Sequence, residues 1–326
     1  MREPASWPFG PVGLGCGSFG GIGSVPDLIG RGLDADAACA TLDEAVALGI
    51  TLFDTAAGYA GGASETTIGR WLAQRDLSTT ADVRIATKVA PAWVSGGDER
   101  FDTAFIAAAF ERSLERLGVN GVELLMIHGP DDSTPVEDTI EAVESIRASG
   151  RALRLGACNL DAAQLLTALD ASEKLGVAGY EVIQNGYHLL FVDEDREVQA
   201  ICAERGLAYT AYSPLAGGAL TGKYRPGQPA PEGTRLALRP HGYDALLTPA
   251  VHEAIDRLRL AAAERGLSCG ALALAWLLHD HAVAALITGP ARNAPHLGLA
   301  TEALRFDMDP DLHAEIGDWF RSALRG

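Results

Sequence analysis

The chain has 326 residues, 48% of them hydrophobic, and a formal charge of −17. That length and apolar share suit a single α/β barrel with a large core. So acidic a chain repels phosphate backbones and anionic bilayers, which argues against nucleic-acid or membrane partners. No apolar run is long enough to span a bilayer, and the start, MREPASWPFG, lacks the basic-then-apolar layout of a signal peptide. The five cysteines, Cys16, Cys39, Cys158, Cys202 and Cys269, are scattered and form no C-x-x-C pair. They predict free thiols in a reducing cytoplasm.

In chain order, short apolar runs alternate with amphipathic stretches. The runs are Val12–Cys16, Thr51–Asp54, Arg84–Lys88, Glu123–His128, Leu153–Cys158, Tyr180–Gln184, Leu207–Tyr212 and Ala284–Thr288. Several are continuously apolar, as parallel strands covered on both faces should be. Between them, helices are predicted over Asp36–Leu48 (capped by Asp34), Ser64–Gln74, Thr103–Leu117 and from Thr134 to about Gly150. Others follow over Asp161–Leu175, Glu194–Arg205, Pro249–Arg265 and Ser268–Asp280. Thr134-Pro135-Val136-Glu137 reads as a capping box with proline at the first helical position. Eight strand–helix units predict either a closed barrel or an open doubly wound sheet. One domain covers 1–326, and the Gly/Pro-rich stretch 216–248 reads as a lid or cofactor-clasping loop.

Gly15-Cys16-Gly17-Ser18-Phe19-Gly20 matches G-x-G-x-x-G, but a dinucleotide loop of that type needs a helix opening at the third glycine. The following Gly21-Ile22-Gly23-Ser24-Val25-Pro26 cannot open one, so a loop at a barrel mouth is the better reading. The ends of the runs carry Cys16-Gly17, Asp54, Lys88, His128, Asn159, Gln184, Tyr212-Ser213 and Gly289. Singly, each polar residue has an ordinary structural explanation. A barrel gathers all these ends on one face, where catalysis takes place, whereas an open sheet spreads them along an edge.

Phe53-Asp54-Thr55-Ala56-Ala57-Gly58-Tyr59 followed by Ser64-Glu65 resembles the FDTAxxY…SE signature of the aldo-keto reductases. Ala86-Thr87-Lys88, Leu125-Met126-Ile127-His128-Gly129-Pro130-Asp131 and Gly156-Ala157-Cys158-Asn159 resemble further motifs of that family. So does the loop from Ala211-Tyr212-Ser213-Pro214-Leu215 to Gly222-Lys223-Tyr224. The His-Gly-Pro-Asp and Pro-Leu-Ala-Gly-Gly stretches are most similar to reductases related to aflatoxin-aldehyde reductase.

The resemblance implies an eight-stranded α/β (TIM) barrel and reversible hydride transfer between a nicotinamide cofactor and an aldehyde or ketone. It implies Tyr59 as proton donor, Lys88 tuning it, Asp54 holding Lys88, and His128 orienting the carbonyl oxygen. A neighbouring ammonium is expected to lower the phenol's pKa from about 10 toward the working range.

For the cofactor, the resemblance implies Gly17, Asn159, Gln184, Tyr212, Ser213, Leu215, Gly217, Lys223, Gly289, Ala291, Arg292 and Asn293. Tyr212 is expected to stack on the nicotinamide and Asn159 and Gln184 to hold its carboxamide. Arg292 fits a ribose 2′-phosphate, which favours NADP(H) over NAD(H). Phe19, Trp93, Tyr187 and His188 are expected around the substrate. Trp71, Trp276 and Trp319 sit on helical patterns and are expected in the core.

The sequence departs from the family pattern at Cys158 (usually serine), Thr288 (usually proline) and Leu299-Ala300 (usually a Glu-Asn pair at the adenine end). A thiol is a weak donor, and the apolar pair removes polar contacts there. A cofactor-sensing regulatory subunit, like the barrel proteins attached to some potassium channels, is the alternative, because such proteins can keep the tetrad. A metal-dependent hydrolase would need ligand-spaced clusters, and only His279-Asp280-His281 at a helix end comes near. The partner is expected to be a small carbonyl compound, and the chain a monomer or homo-oligomer.

Overall fold

Apolar runs of four to six residues cannot stay in water, and parallel pairing needs a covering helix after each strand. The computed structural model describes residues 7–91, 101–239, 243–290 and 296–325. Its strands are β1 Val12–Gly15, β2 Leu52–Asp54, β3 Arg84–Val89, β4 Val122–Ile127, β5 Ala152–Cys158, β6 Val182–Gly186, β7 Ala208–Tyr212 and β8 Ala285–Thr288. They form a closed barrel in sequence order, every neighbouring pair is parallel, and β8 returns to β1 through Val12↔Leu286 and Leu14↔Thr288. The closed barrel, rather than the open sheet, is the solution this chain adopts.

The helices start where short polar side chains can meet free N–H groups. Asp34, Asp102, Asp161, Thr248 and Ser268 each accept a bond from the third residue on, and Asp161 forms a full capping box with Gln164. Gly118, Gly176 and Gly206 end three helices in left-handed conformation. The box expected at Thr134 does not form. The helix begins at Val136 after an extended Pro135, which leaves Thr134 one residue too far out and its hydroxyl buried without a partner. Glu137 and Asp138 offset the helix dipole there instead.

The barrel interior is packed by Leu52, Ala86, Leu124, Met126, Cys158, Val182, Ala208 and Ile287. Trp7 and Phe9 close its N-terminal end, their rings edge-to-face at 4.9 Å. Trp71 and Trp276 are buried as expected, while Trp319 is half-buried under Arg257. Two helices that the sequence pattern did not give, His296–Leu304 and Pro310–Arg325, complete the outer layer. The 216–248 stretch carries short turns at Ala216–Thr221, Arg235–Leu238 and Asp244–Leu246. Among the described residues no single helix is long and apolar enough to cross a membrane.

Helix Ala63–Gln74 presses on helix Thr103–Leu117 so closely that a Cβ at Gly69 would lie 2.3 Å from the Arg116 carbonyl oxygen. Gly69→Ala is therefore expected to cost about 1–3 kcal/mol, read as a lower urea midpoint with an unchanged m-value.

Candidate active site

The ends of all eight strands meet at the C-terminal mouth of the barrel. Asp54 ends β2, Lys88 lies in β3, and His128 follows β4 with its N–H donating to Val89 O at 2.9 Å. Lys88 Nζ donates to Asp54 Oδ1 at 2.5 Å, Thr55 O at 3.0 Å and Tyr59 OH at 3.3 Å. Gln184 Nε2, from β6, donates to the other Asp54 oxygen at 2.9 Å. The His128 ring stands edge-on to Tyr59 at 5.4 Å, and its Nδ1 is buried without a partner. The four residues expected to carry chemistry are thus one connected group.

Tyr59 rides on a turn whose backbone is forced. Ala60 has φ +49°, and its N–H donates to Gly23 O at 2.9 Å, while Ala57 N–H donates to Lys88 O at 3.0 Å. Gly17 borders the ring: a Cβ there would lie 3.5 Å from it. The Ser64-Glu65 part of the signature works behind the site. Ser64 Oγ donates to Cys16 O and shares a bond with Thr55. Glu65, with no exposed surface, accepts from Thr87 Oγ1 and from Arg116. This Glu65–Arg116–Thr87 network holds β3 against helix Ala63–Gln74, and the sequence reading missed it because Arg116 looks like an ordinary helix-surface residue.

Asn159 follows β5 at φ +59°, donating to His128 O at 2.8 Å and accepting from Tyr212 OH at 2.7 Å. The Tyr212 ring lies over Gly186, where a Cβ would come within 3.3 Å of it. Cys158 Sγ is 3.9 Å from Gln184 Oε1 and 3.8 Å from Met126 sulfur, so the thiol makes only weak contacts. After β7, Ser213 and Ala216 hold positive φ, and Gly217 and Gly218 continue the distorted turn. Leu215 is buried against Gly270, so its side chain serves packing. Lys223 Nζ lies beside Gly218 and 5.2 Å over the Tyr224 ring.

Arg235, which the sequence reading did not single out, packs its side chain over Gly217. It is half-buried and makes no ion pair with the described residues. An arginine of the 216–248 stretch that faces a glycine turn, with no acid paired to it among the described residues, is the signal that marks it. Gly289 follows β8 next to the Gly15 carbonyl. Ala291, Arg292, Asn293 and Trp93 lie outside the described residues.

Two substrate-pocket expectations are corrected. Phe19 has no exposed surface and bridges to Leu33 inside the apolar core. Tyr187 is 2% exposed, packs on Trp276 and Tyr209, and donates its hydroxyl to Asp280 at 2.8 Å. His188 is also fully buried, stacked on Phe191 and tilted against Tyr243 of the 216–248 stretch. Leu299 packs toward Gly270 and Ala300 is wholly buried, so the apolar pair at the expected adenine end serves helix packing. Among the described residues no three His, Cys, Asp or Glu side chains gather as a metal-ligand set.

A family model described as the aldo/keto reductase family matches residues 11–318. The chain belongs to this family. A probable voltage-gated potassium channel subunit beta from Oryza sativa subsp. japonica is 32% identical over 302 residues, covering 91% of this chain and 90% of that protein. The aflatoxin B1 aldehyde reductase member 4 of Homo sapiens is 34% identical over 197 residues, 60% of this chain and 58% of its own. The L-glyceraldehyde 3-phosphate reductase of Escherichia coli K12 is 31% identical over 268 residues, 78% of this chain and 75% of its own.

In this aldo/keto reductase, burial dominates the electrostatics of the mouth. Lys88 does pull the Tyr59 pKa down, as expected, but the expectation that the pKa falls toward the working range is corrected. Burial pushes the phenol up to about 12, the Lys88 ammonium pulls against that, and Asp54 adds to the rise. For Lys88 burial works against the charge, but the Asp54 carboxylate together with the Tyr59 and Cys158 side chains lifts the pKa on balance, so the ammonium persists. His128 is pushed down to about 3 by burial and then by Lys88, which leaves it neutral.

Removing the Arg116 guanidinium strands the Glu65 carboxylate. Arg116→Met is expected to cost about 3–5 kcal/mol of folding stability, measurable by urea unfolding. Buried His128 and His188 are both depressed to about 3. The unfolded chain therefore binds more protons than the folded one between that value and the ordinary pKa of about 6.5. Stability should be full above that window and fall as pH drops through it, by up to about 1.4 kcal/mol per pH unit for each histidine. Unfolding midpoints measured across the window should fall accordingly, with a shallower slope in His188→Asn.

Proposed function

We propose that the chain is an NADP(H)-dependent carbonyl reductase, reversible on aldehydes or ketones, with Tyr59 as general acid and base. One observation carries this reading: Lys88 Nζ bonds the Asp54 carboxylate and the Tyr59 hydroxyl at once, with the neutral His128 ring beside them. A phenol kept protonated by burial can release its proton when negative charge grows on a carbonyl oxygen. The ammonium 3.3 Å away then stabilises the phenolate. His128 orients the same oxygen. In oxidation the phenolate takes the proton back from the alcohol.

The residues of the mouth fit a dinucleotide. Lys223 and Arg235 are cations set against a distorted glycine turn with no acid paired to them, which suits a pyrophosphate. Asn159 and Gln184 have hydrogen-bonding capacity left for a carboxamide, and the Tyr212 ring offers a stacking face. Gly17 leaves room beside Tyr59. Ser213, Leu215 and Gly217 contribute backbone groups, and Gly289, Ala291, Arg292 and Asn293 take the adenosine phosphate end. When bound, the nicotinamide supplies or accepts the hydride. Relatives named as aldehyde reductases support the carbonyl class, and buried free thiols agree with a cytoplasmic setting.

A second reading, a cofactor-sensing regulatory subunit, is favoured by the nearly full-length similarity to potassium channel beta subunits. Tyr59→Phe decides between them. As a reductase, it should lose about 10²–10⁴ in kcat while binding NADPH within a few-fold of the wild type, followed by tryptophan fluorescence. A wild type that binds NADPH and reduces no aldehyde or ketone in a panel would move the assignment to the regulatory reading.

A further inference from the structure

The first turn of helix Ala63–Gln74 touches, from outside the barrel, the segments that hold Lys88 and Tyr59. Neighbouring residues of a strand point to opposite faces. Ala86 and Lys88 of β3 point inward, so Thr87 between them points out toward the helices. There Thr87 Oγ1 donates to Glu65 Oε1 at 2.5 Å, and neither residue has any exposed surface. Ser64, the residue before Glu65, donates to Cys16 O at 3.0 Å and bonds Thr55, whose carbonyl accepts from Lys88 Nζ at 3.0 Å. Gly62 caps the same helix and ends the turn Tyr59–Gly62 that carries the phenol.

Arg116, on the adjacent helix Thr103–Leu117, bears on this turn at two points. Its Nε and Nη2 lie 2.7 and 2.6 Å from Glu65 Oε2, the oxygen that Thr87 leaves free. Its stem runs so close to Gly62 that a Cβ there would lie 2.8 Å from Arg116 Cδ. A further bond from Nη2 to Ser113 Oγ at 3.3 Å fixes the plane of the guanidinium. The turn needs such backing, because Ala60 at φ +49° holds a conformation that persists only where surrounding contacts impose it. Lys88 Nζ and Tyr59 OH stand 3.3 Å apart, already longer than the roughly 2.9–3.0 Å usual for such a bond. A small retreat of either the strand or the turn breaks the contact.

We propose that Arg116 is a positioning residue of the reaction: by clamping Glu65 and backing Gly62 it sets the separation between the Lys88 ammonium and the Tyr59 phenol. Glu65 and Thr87 carry the clamp to β3, and Gly62 carries it to the turn of Tyr59. Glu65 and Thr87 have no exposed surface, so neither meets substrate or cofactor. With the clamp loosened, the ammonium stands off from the phenolate that forms as hydride is delivered. The chemical step slows, while ground-state binding at the mouth stays as it was. The assignment rests on the reductase reading above.

The test is the single-turnover rate of 4-nitrobenzaldehyde reduction by NADPH, with active sites counted by NADPH titration so that unfolded protein does not contribute. Thr87→Val cuts the link to β3 without changing charge, and Arg116→Lys keeps the charge but not the fork. Each should slow the step by about 10–100-fold, with substrate and NADPH affinity within about two-fold of the wild type. Thr87→Ser, which keeps the hydroxyl, should recover most of the loss. Placed in Tyr59→Phe, Thr87→Val or Arg116→Lys should slow the residual rate by less than about two-fold, because the phenol they position is gone. Unchanged rates per active site in both variants, or losses as large in Tyr59→Phe as in the wild type, would overturn the proposal. If the wild type reduces no aldehyde, the reductase reading has failed on its own. Crystal structures of the wild type and of Arg116→Lys then still decide. A wider Nζ–phenol separation in the variant upholds the clamp, and an unchanged one overturns it.

Discussion

A buried ammonium in contact with a buried carboxylate is the constraint on which the mouth of this barrel depends. Lys88 has no exposed surface and Asp54 is 2% exposed. Removing both charges from water costs on the order of several kcal/mol per ion, repaid only when the remaining hydrogen-bonding positions are filled. Here they are filled from three strands. Lys88 of β3 also bonds Thr55 O, just past β2, and the Tyr59 hydroxyl, while Gln184 of β6 bonds the second Asp54 oxygen. Only a closed barrel brings β2, β3 and β6 together, so closure and the satisfaction of this pair require each other.

The backbone around the pair bears the cost of that geometry. All four described non-glycine residues with positive φ, Ala60, Asn159, Ser213 and Ala216, lie in segments following strand ends at the mouth. Such conformations cost about 1–3 kcal/mol each and persist only where surrounding contacts over-determine them. Asn159 shows how: its amide bonds His128 O and Tyr212 OH at once, joining the segments after β4, β5 and β7. One side chain thus locks three strand ends.

The periodic parts of the fold were legible in the sequence, and so were the side chains at strand ends. Asp54, Lys88, His128 and Gln184 could be placed because barrel topology converts a position in an apolar run into a position in space. Residues that act through irregular segments escaped. Phe19 and Tyr187 sit just past strand ends and looked like pocket walls, but the segment after β1 folds Phe19 into the core and Asp280 draws the Tyr187 hydroxyl inward. Thr134 matched a capping box whose start shifts by one residue. Arg235 and Arg239 stand in a Gly/Pro-rich stretch with no period to count, and that no acid among the described residues pairs with them is a property of three dimensions. The pKa of Tyr59 escaped for a similar reason: a neighbouring charge can be read from a motif, whereas the extent of desolvation that outweighs it cannot.

The charge distribution ties these observations together. A molecule of net charge −17 repels anions at long range, over roughly a Debye length of 8 Å at physiological salt. Some acids at its surface are engaged by arginines, as in Arg151–Glu111 and Arg205–Glu173. Lys88, Lys223, Arg235 and Arg239 instead gather at the C-terminal mouth, and among them only Lys88 is paired with a carboxylate. Cations without a carboxylate partner at the mouth offset that repulsion at short range, where the surrounding low dielectric strengthens each charge.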